Sequence, residues 1–178
     1  MANVKWSVDP THSEVQFKVK HLMITNVTGY FSKFNVEAET EGDDFEKASN
    51  IVFTADVDSI NTNNEQRDTH LKSPDFFDAA NHQQVKFVGK KYEKVSGDEY
   101  KLHGDLTIRE TTKPVTVNVE FGGIVEDPYG NTKAGFTIDG KINRKDFGLT
   151  WDAVTEAGSV VVSNDIRLHA EIQLVKQK

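Results

Sequence analysis

In the segment Val160-Val161-Val162-Ser163-Asn164-Asp165-Ile166-Arg167-Leu168-His169-Ala170-Glu171-Ile172-Gln173-Leu174, apolar side chains at Val160, Val162, Ile166, Leu168, Ala170, Ile172 and Leu174 keep one parity, interrupted only at Asn164. Strict alternation of this kind marks a strand with one buried face. At about 3.4 Å per residue, fifteen such positions reach about 50 Å, whereas an ordinary strand has about five or six residues. A one-sided strand of that length needs partners of similar length.

They are present. Val15, Phe17 and Val19 alternate with Gln16, Lys18 and Lys20. The pattern returns at Ile51, Phe53, Ala55 and Val57, at Leu102, Leu106 and Ile108, at Val115, Val117, Val119 and Phe121, and at Phe136, Ile138 and Ile142. Turn signals separate the runs at Glu41-Gly42-Asp43-Asp44, Ser96-Gly97-Asp98, Asp127-Pro128-Tyr129-Gly130-Asn131 and Ala157-Gly158-Ser159. Long one-sided strands joined by short turns form an antiparallel sheet whose edges must be hidden, and closure into a barrel hides them. The expected fold is therefore all-β: an elongated up-and-down antiparallel β-barrel of about eight strands, the number whose interior holds packed side chains or one small ligand.

One stretch breaks the period, from Asn61 to about Asn81. Asn61 or Asn63 is placed to cap a helix through Glu65, Arg67, Thr69 and Leu71, and Ser73-Pro74 ends it before a second short turn at Asp75-Phe76-Phe77. This predicts a short helical insertion near residues 63–79, crossing one barrel end as a lid with Phe76 and Phe77 as its apolar face. No repeat, low-complexity segment or linker divides the chain, so residues 1–178 read as one domain.

Composition removes several function classes. With 28 acidic and 21 basic side chains, the formal charge is −7, which disfavours nucleic-acid binding through a broad basic face. The absence of cysteine excludes thiol catalysis and cysteine-ligated metals. No apolar run approaches the ~20 residues of a transmembrane helix. The first ten residues lack the basic and apolar regions of a secretory signal, so the chain as given reads as cytoplasmic.

Short strings that suggest chemistry fail in context. Gly135 to Lys141 has the spacing of a phosphate loop, yet Ile142 stands where Ser or Thr is needed, and the string alternates as a strand. Asp146-Phe147-Gly148 lacks the other parts of a kinase site. His12, His21, His70, His82, His103 and His169 form no local metal-ligand spacing. No catalytic residue, metal site or cofactor is assigned.

More informative are polar residues on inward parity. His21 follows Val15, Phe17 and Val19; Glu110 follows Leu106 and Ile108; Asn164 lies between Val162 and Ile166. Either the first two mark strand ends and Asn164 a bulge, or the three line a cavity mouth and bond the polar end of an apolar ligand. The phenylalanines pose the same choice. Phe17, Phe31, Phe34, Phe53, Phe87, Phe121 and Phe136 can fill a core or wall a tunnel for a lipid tail.

Several strings occur in order along nearly the whole chain. They are Trp6-Ser-Val-Asp-Pro-Thr-His12-Ser13-Glu-Val15-Gln-Phe17-Lys-Val19-Lys-His21, Gly29-Tyr-Phe31-Ser-Lys-Phe34, Leu71-Lys-Ser-Pro-Asp75-Phe76-Phe77-Asp78, Gly104-Asp-Leu106-Thr-Ile108-Arg109 with Thr112-Lys113-Pro114-Val115, Asn143-Arg144-Lys-Asp146-Phe147-Gly148-Leu-Thr-Trp151, and Ser163-Asn-Asp165-Ile166 through Ile172. Together they resemble the YceI-like family, bacterial lipocalin-like proteins associated with polyisoprenoid binding. The resemblance implies a long barrel whose apolar tunnel binds, sequesters or transports an isoprenoid or other amphiphilic lipid without catalysis. Two positions depart from the family pattern: His82-Gln83 stands where Tyr-Pro is common, and Glu110 where a glycine commonly follows the Leu-Thr-Ile-Arg run.

The expected ligand contacts are thus the seven wall phenylalanines, the lid residues Phe76 and Phe77, and Val19, Leu106, Ile108, Phe147 and Trp151. His21, Asn143 and Arg144 are the candidates for the polar head, the last two because they sit in the family-like Asn-Arg-x-Asp-Phe-Gly segment. Rival readings are an enzyme acting on a lipid-like substrate and a stress-related module with a packed interior. A homodimer is compatible with an acidic barrel having one apolar opening, although no heptad or dimer stripe occurs.

Overall fold

The computed structural model describes residues 3–22, 24–149 and 162–177. Among the described residues eleven strands form one antiparallel sheet: β1 (Asn3–Val8), β2 (Glu14–His21), β3 (Thr25–Phe31), β4 (Phe34–Glu41), β5 (Asp44–Asp56), β6 (Ile60–Asn61), β7 (Gln84–Ser96), β8 (Glu99–Ile108), β9 (Thr111–Glu126), β10 (Thr132–Asn143) and β11 (Val162–Lys176). The order β1-β4-β5-β7-β8-β9-β10-β11 closes through pairing of β1 with β11, which makes an eight-stranded barrel.

Three of the eight staves are interrupted. β1 and β2 both pair with β11, β3 and β4 both pair across to that first stave, and β6 prolongs β5 beside β3. The break between β1 and β2 is a 3-10 turn at Pro10–His12. It leaves the seam bonded, because Asp9 N–H donates to the Gln173 carbonyl at 2.8 Å and Gln173 N–H donates to Ser13 Oγ at 2.9 Å. Lys133 Nζ donates to Asp9 Oδ2 at 2.7 Å and His12 Nδ1 lies 2.8 Å from the same oxygen, so the carboxyl is held well below the usual carboxylate range, foremost by the lysine. The proline-containing kink is thereby pinned to the start of β10.

Residues of the inward parity behave as the period predicts, and the three polar exceptions fall at irregularities. His21 is the last residue of β2, and Glu110 lies in the exposed turn between β8 and β9. Asn164 is exposed where the β11–β2 register shifts between Val162 and Ile166, the signature of a bulge. The phosphate-loop-like string from Gly135 to Lys141 lies within β10.

Within the insertion expected near residues 63–79 lies one helix, α1 (Glu65–Lys72), which ends at Ser73 as the Ser73-Pro74 signal predicts. Its cap is Asn64 rather than Asn61 or Asn63: the Asn64 side chain accepts from Arg67 N–H at 3.0 Å, whereas Asn63 sits in the left-handed region at φ 63°. Asn61 instead accepts from Asn63 N–H at 2.8 Å. Ser73 closes the helix, with its N–H donating to the His70 carbonyl. The turn that follows brings Phe76 and Phe77 back over the barrel end.

Candidate ligand-binding cavity

The barrel interior divides into two unlike halves. At the end holding the β4–β5, β7–β8 and β9–β10 turns, aromatic side chains fill the lumen. Phe45 has ring centroids 4.8 Å from Trp6, 5.0 Å from Phe136 and 5.6 Å from Phe121, and Phe121 lies 5.4 Å from Phe136. Trp6 is buried and donates its indole N–H to Thr40 Oγ1 at 2.9 Å. Nearby, Tyr92 stacks on Tyr100 at 4.6 Å with the rings 6° from parallel. Burial pushes the Tyr92 hydroxyl well above the ordinary tyrosine range.

At the lid end the lumen is hollow. A cavity of about 230 Å³ lies among Phe17, Val19, Phe31, Phe53, Val85, Phe87, Leu106, Ile108 and Ile142, and is capped by Leu71, Phe76, Phe77 and Leu149. Phe31 bridges wall and lid, with its ring centroid 5.7 Å from Phe17 and 6.3 Å from Phe77. The lining is apolar almost throughout.

Glycines explain why rings of equal size fill one half and leave the other open. Phe17 faces Gly29 across the β2–β3 ladder, and its ring lies where a Cβ on Gly29 would stand. Phe87 lies in the same way over Gly104 of β8, and Val117 over Gly140 of β10. A side chain laid flat on a neighbouring glycine is drawn to the wall and leaves the axis free. The rings of Phe45, Phe121 and Phe136 have no such shelf and meet one another.

The expected contacts therefore separate by position. Phe17, Val19, Phe31, Phe53, Phe76, Phe77, Phe87, Leu106, Ile108 and Arg144 line the cavity. Phe121 and Phe136 lie in the packed half instead, and Phe34 packs partly buried against the same cluster. The uniform tunnel wall expected from their parity is thus corrected: parity puts a ring inside the barrel, and its cross-strand neighbours decide whether it fills the axis. Phe147 is buried in the core beside the cavity without lining it. Trp151 lies outside the described residues.

The three head-group candidates also differ. His21 is half-buried at the tip of β2, opposite Val162. Asn143 does not face the lumen; its exposed side chain caps the following 3-10 turn by accepting from Lys145 N–H at 3.0 Å. Arg144 is 1% exposed and at the cavity edge. Its guanidinium donates to the carbonyls of Leu149 at 2.6 Å, Ser163 at 3.0 Å and Val162 at 3.4 Å, so it fastens that turn to the start of β11. The lining also includes the aliphatic side chains of Val85, Val115, Ile142 and Leu168, of which Val115, Ile142 and Leu168 share the inward parity. Leu149 follows the left-handed Gly148 and has no periodic signal.

A family model described as the YceI-like domain matches residues 6–174. The chain belongs to the YceI-like family. A UPF0312 protein of Staphylococcus aureus strain MSSA476 is 37% identical over 171 residues, covering 94% of this chain and 95% of that protein. One from Staphylococcus epidermidis is 35% identical over 172 residues, with 95% and 96% covered. Among solved structures, a Campylobacter jejuni YceI protein is 33% identical and superposes with a TM-score of 0.77 over 90% of this chain and 91% of that one. A polyisoprenoid-binding domain from Saccharophagus degradans, 13% identical, shares the fold with a TM-score of 0.65 over 97% of this chain and 98% of its own. Among the described residues of this YceI-like chain, no helix is long and apolar enough to cross a membrane.

Proposed function

We propose that the protein binds the tail of a long amphiphilic lipid, a polyisoprenoid or similar chain, in the lid-end cavity and sequesters or carries it without chemical change. The observation that carries this is the apolar void itself, held open by rings lying on Gly29 and Gly104. Natural interiors are close-packed, so an unfilled lumen next to a filled one calls for an occupant. Tail burial contributes about 0.8 kcal/mol per CH₂, so ten buried methylenes supply about 8 kcal/mol, the order of a micromolar affinity.

The lid fits this use. The cavity of about 230 Å³ lies below the ~300–1,000 Å³ usual for ligand sites, so a long chain requires Phe76 and Phe77 to move outward. Helix α1 buries none of its eight residues, and an element with so little burial opens at low cost. The buried charge at the edge, Arg144, already donates to three backbone carbonyls, which supports a scaffolding role over a reactive one.

Organic-solvent extraction of the purified protein followed by mass spectrometry tests the reading. Release of a long-chain lipid, or saturable uptake of prenyl or acyl amphiphiles by emptied protein, is the expected result. Empty protein that takes up none of them contradicts it.

A further inference from the structure

The β2–β3 hairpin differs from the rest of the molecule in charge. From Val15 to Val36 no acidic side chain occurs, the longest such run in a chain of net charge −7, and it carries Lys18, Lys20 and Lys33. Lys18 and Lys20 are exposed, alternating with Phe17 and Val19, which line the cavity. Exposed Arg167 of β11 lies beside Lys18 in register, which extends the basic stripe across the strand pair.

The hairpin ends in a tight turn in which Ile24 N–H donates to the His21 carbonyl at 3.1 Å and Leu22 takes φ 53°. Ile24 is 78% exposed. A lone exposed isoleucine is ordinary; its place here is not. The tip stands at the cavity's end of the barrel, since His21 pairs with Val162, a lining residue. Among the described residues β3 is paired from Thr25 to Gly29 on its β2 side only, so the hairpin projects with one open edge.

We propose that the β2–β3 tip docks the lid end of the barrel on an anionic lipid bilayer, with Ile24 and Leu22 entering the headgroup–acyl boundary and Lys18, Lys20 and Arg167 facing anionic headgroups. The dimensions agree. Lys20 lies about 7 Å or less from the turn, within the ~5–10 Å to which interfacial segments enter the boundary. Repulsion from the overall negative charge is screened over about 8 Å at physiological salt; Asp165, the exposed acid near Arg167 on β11, is paired with Lys141 at 3.2 Å, so the acid-free run of the hairpin itself decides the sign of the interaction. The use of the contact, delivery of a lipid to the cavity mouth, rests on the lipid-binding reading; the contact itself does not.

Co-sedimentation of the full chain with vesicles tests it, using phosphatidylcholine alone and phosphatidylcholine mixed with phosphatidylglycerol. Binding is expected to the mixed vesicles only and to weaken as salt is raised. At about 1 kcal/mol per lysine near an anionic surface, the Lys18→Gln, Lys20→Gln double variant should bind about thirty-fold more weakly. Ile24→Ser should lose about tenfold, while Val125→Ser, a change at a residue 66% exposed at the opposite barrel end, should leave binding unchanged. Equal binding to both vesicle types, no binding, or equal losses from the Ile24 and Val125 variants overturns the proposal. So does a dimer that Ile24→Ser converts to monomer without any vesicle binding, which would assign the tip to a second copy. Vesicle binding by protein that takes up no amphiphile would refute the lipid-carrying reading and leave docking intact; uptake without vesicle binding would do the reverse.

Discussion

The two ends of this barrel are built from the same kind of side chain and come out opposite. Around Phe45, four aromatic residues close on one another at 4.8–5.6 Å and leave no axis. Around Phe17 and Phe87, rings of the same size lie back on glycines of adjacent strands, and a lumen of about 230 Å³ remains. The difference shows that a hollow in a barrel need not come from small side chains on the inward parity. It comes from missing side chains next door, which give large ones somewhere to lie.

The sharpest way to break this comparison is to delete a ring from each half. Phe45→Ala should destabilise the protein by about 3–5 kcal/mol in denaturant unfolding, the usual cost of a large core truncation. Phe77→Ala removes a ring that already borders empty space and sits on a weakly buried lid, so it should cost less than about 2 kcal/mol. Equal losses would mean that the cavity half is as tightly packed as the other. Truncating Arg144 to Met should also be expensive, about 2–4 kcal/mol, because carbonyls it bonds would be left buried; an undisturbed unfolding midpoint would contradict its role as a fastener.

A substitution at the shelf sharpens the same point. Gly29→Val should force the Phe17 ring off the wall and into the lumen, lowering amphiphile uptake at least about tenfold while the circular dichroism of the barrel is retained. Uptake unchanged in a folded Gly29→Val protein would sever the link between shelf and cavity.

The smallest effect concerns the outer wall at mid-barrel. His169 Nδ1 lies 2.6 Å from Asp139 Oδ1 and its Nε2 lies 3.0 Å from Glu171 Oε1, and the Asp139 contact is the main cause of a raised pKa. A raised imidazole pKa stabilises the fold below its unfolded value, about 6.5, and that contribution disappears as pH rises through the folded value. His169→Gln should therefore cost more at mildly acid than at alkaline pH, and by less than about 1 kcal/mol because the pair is partly exposed. A pH-independent difference would remove the charge argument.

Much of this was legible in the chain. Period-2 parity places Val15, Phe17, Val19, Ile166 and Leu168 inside, and strand length with turn spacing implies closure. The break at Asn61–Asn81 locates the lid, and Phe76 and Phe77 do lie over the barrel end. What parity does not contain is the cross-strand register that sets Gly29 beneath Phe17 and Gly104 beneath Phe87. That register depends on pairings between strands, so Phe121 and Phe87 looked alike in sequence and proved different in space. Arg144 stands out in sequence only through the Asn-Arg-x-Asp-Phe-Gly segment, and its burial is hidden for the same reason: its carbonyl partners at Ser163 and Val162 come from the start of β11, and a polar residue after a strand end carries no local sign of burial.

A crystal structure of the protein soaked or co-purified with a prenyl alcohol tests the central claim most directly. Continuous ligand density should run from beneath Phe76 and Phe77, between the Phe17 and Phe87 rings, and stop above the cluster of Phe45, Phe121 and Phe136. Density confined to the outer surface, or a chain threaded through the aromatic cluster, would contradict the division of the barrel into a binding half and a packed half.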